Sequence, residues 1–242
     1  MVKWISHRGE SMDAPENTLA AFRLSQERQT DGMECDVYLT TDGKVMVCHD
    51  PNTTRMGSAR LYVEKSSSAD LRAITVSGAF QQKYPGEKIP FLSETFQFLG
   101  GSREYYIELK GTNPELIPAL KAEVEKSGIP SEQIVFISFS RELIRGMKHA
   151  MPRCRALWLN DLRREYGIVS ADELIAELEH LGVDGVDGWD HPDITGELVD
   201  AVHRAGKIFA VWTVDNPDSA AHLISCGVDV ITSNCAALLQ NW

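Results

Sequence analysis

The chain carries no excess of positive charge and no long apolar run. Asp and Glu number 35 against 24 Lys and Arg, a formal net charge of −11 over 242 residues. A surface that acidic repels polyphosphate, so nucleic acid is excluded as an expected partner. No stretch of about 18 apolar residues occurs, so no helical membrane span is expected. The opening Met1-Val2-Lys3-Trp4-Ile5-Ser6-His7 lacks the apolar core and small-residue cleavage site of a secretion signal. The five cysteines stand at positions 35, 48, 154, 226 and 235, with no Cys-x-x-Cys pair. That pattern argues against a disulfide framework and a structural zinc site, and suits reduced thiols in a cytoplasmic protein. No Gly-x-Gly-x-x-Gly follows the first apolar run, which argues against a dinucleotide-binding sheet.

With 43% hydrophobic residues, the chain is long enough for one well-buried domain over residues 1–242. Its second half is rhythmic. Four amphipathic segments end near Gly128, Gly182, Gly206 and Gly227, where a helix stops on a residue of positive φ. Each leads into a continuous apolar run, as expected of strands covered on both faces. Strands are predicted at 4–7, 33–38, 105–110, 134–139, 156–159, 185–188, 209–214 and 228–233. Eight strands alternating with helices over this length predict an α/β fold, a (β/α)8 TIM barrel.

One further strand-like run, 44–49, follows Thr41-Asp42-Gly43, a hairpin signal. A two- or four-residue loop would make paired positions sum to 85, placing Asp36 opposite His49 with Glu34 on the same face. Residues from 51 to about 90 break the rhythm and read as a small insertion on the loop side of the barrel. There the segment is expected to govern substrate choice rather than chemistry.

Active sites of such barrels lie at the C-terminal ends of the strands. Here those ends carry His7-Arg8-Gly9, Glu34-Cys35-Asp36, Glu108-Leu109-Lys110 and Trp212-Thr213. Three acids set in apolar strands are costly to bury unless a cation joins them. A hard oxygen set favours Mg²⁺ or Ca²⁺. The alternative is that Lys110 or Arg8 pairs with the acids. His7 and His49 could act as general base and general acid near neutral pH, and Arg8 and Lys110 could hold phosphate oxygens. Trp212 is either core or pocket wall. Asn17 or Thr18 is expected to cap the helix that opens at Leu19.

Taken together, these residues resemble the glycerophosphodiester phosphodiesterase family. The resemblance rests on His7-Arg8-Gly9 with Glu16-Asn17-Thr18, then Glu34-Cys35-Asp36 with Thr41-Asp42-Gly43 and His49-Asp50. Glu108-Leu109-Lys110 and Trp212-Thr213-Val214 complete it. It implies the same barrel, metal ligands at Glu34, Asp36 and Glu108, and an acid–base pair at His7 and His49. Arg8 and Lys110 would lie near the phosphate. The implied small-molecule substrate is a glycerophosphodiester, cleaved to glycerol 3-phosphate and an alcohol. The chain departs from the family at its end, where Thr232-Ser233-Asn234-Cys235-Ala236 replaces a Thr-Asp-x-Pro run. A related phospholipase D-like barrel acting on phospholipid head groups is the main alternative. A metal-dependent isomerase or aldolase on the same fold is a further one.

Overall fold

The computed structural model describes residues 1–57, 59–76, 79–165 and 167–242. In chain order the elements are β1 (Lys3–Ser6), α1 (Leu19–Glu27), β2 (Gly32–Leu39), β3 (Val45–Val47), α2 (Ser68–Ala73) and α3 (Leu92–Thr95). Then come β4 (Glu104–Leu109), α4 (Leu116–Ser127), β5 (Ile134–Ser138), α5 (Arg141–Ala150), β6 (Arg155–Asn160) and α6 (Ala171–Leu181). The chain ends with β7 (Gly185–Trp189), α7 (Gly196–Arg204), β8 (Ile208–Trp212), α8 (Pro217–Cys226), β9 (Val230–Ser233) and α9 (Ala236–Gln240). Eight parallel strands run in the order β1-β9-β8-β7-β6-β5-β4-β2, and β1 pairs with β2 to close the ring. This is the predicted (β/α)8 barrel. Its strands fall within about two residues of the predicted bounds.

The helix boundaries follow local chemistry. Ser140, Ser170 and Thr195 each accept a backbone N–H from the first turn of their helix, and each such cap stabilises by about 1 kcal/mol. Asn216 does the same for α8, with Pro217 at its first position. Gly128, Gly182 and Gly227 end α4, α6 and α8 in the left-handed conformation. The apolar stripes so oriented form one core between helices and strands, which includes Leu120, Leu178 and Leu223. A second core fills the barrel, from Ile5, Tyr106 and Val135 through Leu157 to Val230. At the N-terminal end of the strands, Glu104 pairs with Lys3 and with Arg155. No described helix is long and apolar enough to cross a membrane.

The hairpin corrects one expectation. Val37 pairs with Val47, Tyr38 with Met46 and Leu39 with Val45, and the Cys48 N–H donates to Asp36 O at 2.9 Å. Asp36 therefore lies opposite Cys48, one residue away from the predicted His49. The loop has three residues, Thr41 to Gly43: Thr40 N–H donates to Lys44 O at 3.0 Å, and Gly43 N–H to Thr40 O at 3.0 Å. Gly43 has φ of +72°, which lets the odd residue be absorbed as a bulge. His49 reaches the barrel mouth because the chain turns after β3.

The segment between β3 and α3 builds its own small core. Met56, Val63, Leu71, Ile74 and Ile89 pack onto Tyr38, Met46 and Cys48 of the hairpin. Three positions of the predicted insertion, Ser58, Ser77 and Gly78, lie outside the described residues.

Candidate active site

The sequence His7-Arg8-Gly9 follows β1 directly. The His7 N–H extends the ladder to Ser233 O at 2.8 Å, after which Arg8 and Gly9 adopt φ of +56° and +77°. This sharp turn aims the Arg8 N–H at Glu34 Oε2, 2.9 Å away. It also presses Gly9 on α1, where an added Cβ would sit 2.5 Å from the Ala21 carbonyl carbon. Gly9→Ala is accordingly expected to cost about 3 kcal/mol, read as a fall of roughly 6–12 °C in melting temperature. Loss of turnover should accompany it, because the clash displaces His7 and Arg8. An unshifted melting curve would show that the turn adapts.

Glu34 and Asp36 point inward because they alternate along β2, and Asp36 registers with Glu108 of β4. One carboxylate oxygen from each of the three lies within 4.8 Å of the others, and all three residues are buried. Two cations enter the cluster. Lys110 Nζ lies 2.8 Å from Glu108 Oε1 and 3.1 Å from Asp36 Oδ1. Arg8 Nε is 3.3 Å from Asp36 Oδ2. These are charge pairs set off the hydrogen-bonding axis at Asp36, whose Oδ1 keeps no hydrogen-bond donor among the described residues. Asn17 Nδ2 donates to the other oxygen at 2.7 Å. The acids converge, as a cation site requires, and they also pair with Lys110 and Arg8.

The charges do not balance. Burial would raise the Asp36 carboxyl, but Lys110 and Arg8 outweigh it and hold the group below its ordinary range. Burial, reinforced by Asp36, pushes Glu34 well up and Glu108 to about 8. Three hard oxygen donors, one without a hydrogen bond, and two carboxyls resisting ionisation fit a divalent oxygen-seeking cation.

His7 is held through Nδ1, 2.8 Å from Asn234 Oδ1. The Asn234 amide is oriented by Asp215, which accepts from its Nδ2 at 2.6 Å and from its backbone N–H at 2.8 Å. Oδ1 therefore faces the ring, Nδ1 carries the proton, and Nε2 is left with a lone pair 3.9 Å from Glu34 Oε2. Burial, with Arg8 adding to it, pushes the His7 pKa down to about 4, so the ring is neutral at neutral pH. His49 Nδ1 meets Asp50 Oδ1 at 2.7 Å. Its pKa is also lowered, chiefly by burial, while Asp36 and Asp50 oppose the shift.

His7, Arg8, Glu34, His49, Glu108, Lys110 and Trp212 line one cavity of about 70 Å³ at the barrel mouth. Asp36 lies beneath, held by Arg8, Lys110 and Asn17. Trp212 is pocket wall: its Nε1 donates to Asp187 O at 3.0 Å, and its ring meets Phe139 edge-on at 5.5 Å.

Several supporting residues escape sequence reasoning. Of the two expected caps Thr18 caps α1, while Asn17, at φ of +56°, turns to Asp36, a role not expected of it. Glu16 accepts from Arg8 at 2.8 Å and from Arg55 at 2.6 and 2.8 Å. Arg55 also holds Asp50 at 2.8 Å, so the segment after β3 braces both Arg8 and His49. The end loop was legible as a departure from the family run, but its contact with His7 was not. Asp187 carried no signal beyond being an acid in an apolar strand.

Residues 7–237 match the glycerophosphoryl diester phosphodiesterase family. The glycerophosphodiester phosphodiesterase of Caldanaerobacter subterraneus subsp. tengcongensis is 28% identical, over 98% of this chain and 96% of that protein. The enzyme of that name from Bacillus subtilis is 26% identical, over 95% of this chain and 82% of its own length. Among solved structures, an Oleispira antarctica phosphodiesterase in complex with the product sn-glycerol-3-phosphate superposes with a TM-score of 0.87. It is 25% identical, over 98% of this chain and 94% of that one. The chain belongs to the glycerophosphoryl diester phosphodiesterase family.

Proposed function

We propose that the chain hydrolyses small-molecule glycerophosphodiesters to glycerol 3-phosphate and an alcohol, with Mg²⁺ or Ca²⁺ held by Glu34, Asp36 and Glu108. The observation that carries the reading is the meeting, at one mouth, of a three-carboxylate cluster with two histidines and the cationic side chains of Arg8 and Lys110. A bound divalent ion would neutralise phosphodiester charge there. Arg8 and Lys110, which pair with the acids, bind the phosphate oxygens, Arg8 with its planar fork held in place by Glu16.

His7 is the general base. Its neutral ring and the Nδ1 proton fixed by Asn234 leave Nε2 to take a proton from the nucleophile. His49 is the general acid. Its Nδ1 rests on the Asp50 carboxylate, which works against the burial that lowers its pKa and so supports the protonated ring that donates to the leaving alkoxide. The five cysteines are buried and unpaired, which suits a reducing, cytoplasmic setting.

The test is release of glycerol 3-phosphate from glycerophosphocholine, assayed with Mg²⁺, with Ca²⁺ and with excess chelator. Turnover is expected with at least one metal and none with chelator. Full turnover in chelator would remove the cation from the reading. No turnover of any glycerophosphodiester with either metal would remove the substrate class, and turnover confined to lysophospholipids would favour the phospholipase D-like alternative.

A further inference from the structure

The chemistry proposed above makes no use of Asp187. This residue lies in the middle of β7 and is 1% exposed. Its Oδ1 has no hydrogen-bond partner among the described residues. Burial alone raises its pKa to about 8, which agrees with the absence of a described cation beside it. Thr232 of β9 is likewise 2% exposed, and its Oγ1 has no partner among the described residues. Both residues line the cavity that holds His7 and Glu34. In the closed ring β7 stands four strands from β2 in either direction, so Asp187 lies across the mouth from the acid cluster.

Leaving a buried polar group unpaired is costly, and a partner is normally found in protein, water or ligand. Two such groups opening on one active-site cavity, Asp187 from the wall opposite Glu34 and Thr232 from the strand beside β1, point to a ligand. We propose that Asp187 and Thr232 form a hydroxyl-reading subsite that hydrogen-bonds the free hydroxyls of the substrate's glycerol end. The inference rests on the function proposed above and specifies which end of the diester that wall receives.

The chemistry of the pair favours a neutral polyol. A protonated carboxyl and a threonine hydroxyl each donate and accept, as an alcohol does. The apolar Leu159, in register with Asp187, and Ile137 line the same cavity and offer a hydroxyl no competing partner. The small cavity suits a compact hydroxylated group. An ammonium-bearing alcohol would instead need an ionised Asp187 against Trp212 and Phe139.

The experiment compares Asp187→Asn, which keeps donor and acceptor, with Asp187→Leu, which removes both. Calorimetry with Mg²⁺ present measures binding of sn-glycerol 3-phosphate and of methyl phosphate, which lacks the hydroxyls. The wild type is expected to prefer glycerol 3-phosphate by about tenfold or more, the worth of one to two neutral hydrogen bonds. Asp187→Leu should bring that ratio near one, and Asp187→Asn should hold it within about threefold of wild type. In turnover, the kcat/KM ratio of a glycerophosphodiester to ethyl nitrophenyl phosphate should fall about tenfold in Asp187→Leu.

An affinity ratio equal in wild type and Asp187→Leu would overturn the subsite. So would a defect confined to choline-bearing diesters and equally present in Asp187→Asn, which would assign Asp187 to the ammonium. If Asp187→Leu does not fold, Thr232→Val must lower the same ratio. The binding ratio needs no turnover, so it decides the subsite even where the diesterase assay fails.

Discussion

Replacing His7 or His49 by alanine is expected to lower turnover of a glycerophosphodiester by about 10²–10⁴-fold, the usual worth of a positioned general acid or base. Neither change should unfold the protein. His7 loses one hydrogen bond to Asn234, whose amide stays anchored on Asp215, and His49 is partly exposed. The two variants should then part company on an activated diester. A nitrophenyl leaving group needs no protonation, so it rescues the variant that lacks the acid and not the one that lacks the base. With the base at His7 and the acid at His49, as proposed, His49→Ala should be rescued. Rescue of His7→Ala instead would exchange the roles. Near-normal turnover of the natural diester in either variant would withdraw that residue from the chemistry.

How much of this could be read from the chain depends on whether the information is local. Helix caps and stops such as Ser170 and Gly182 are written within a few residues, and the barrel follows from their rhythm. Glu34, Asp36 and Glu108 were legible because acids inside apolar strands are costly and need a reason. The hairpin was misread by one residue, because a left-handed Gly43 admits a three-residue loop, and a single residue reverses every face. His49 nevertheless arrives, by a turn after the strand that no pairing rule describes. Asn17, Asn234 and Arg55 were not legible as site residues. Their contacts span 19 residues from Asn17 to Asp36, 227 from His7 to Asn234 and 39 from Glu16 to Arg55. Only closure of the ring brings β9 beside β1 and so places Asn234 on His7.

Glu108→Gln separates a metal cluster from acids held in structural ion pairs. With cation present the variant is expected to lose most activity, since a neutral amide is a poor ligand for a hard ion. Without cation it should be no less stable than the wild type. The reason is the direction of the Glu108 shift. Its folded pKa, about 8, lies above the ordinary 4.5. The protonated carboxyl therefore contributes stability in full below about pH 4.5, and that contribution is lost as pH rises through 8. Chelated wild type should accordingly lose melting temperature between those limits. Glu108→Gln, which has no proton to lose there, should show a flatter profile and meet or exceed wild type near pH 8. Lys110 keeps Asp36 as a partner in the variant, so no buried cation is stranded. Returning Mg²⁺ or Ca²⁺ should raise the wild type by about 2.7 kcal/mol at a hundredfold excess over Kd, roughly 5–11 °C for a chain of this length. The variant should gain far less. If Glu108→Gln lowers the melting temperature by the same amount with and without chelator, the carboxylate serves Lys110 alone and the metal site is lost from the mechanism.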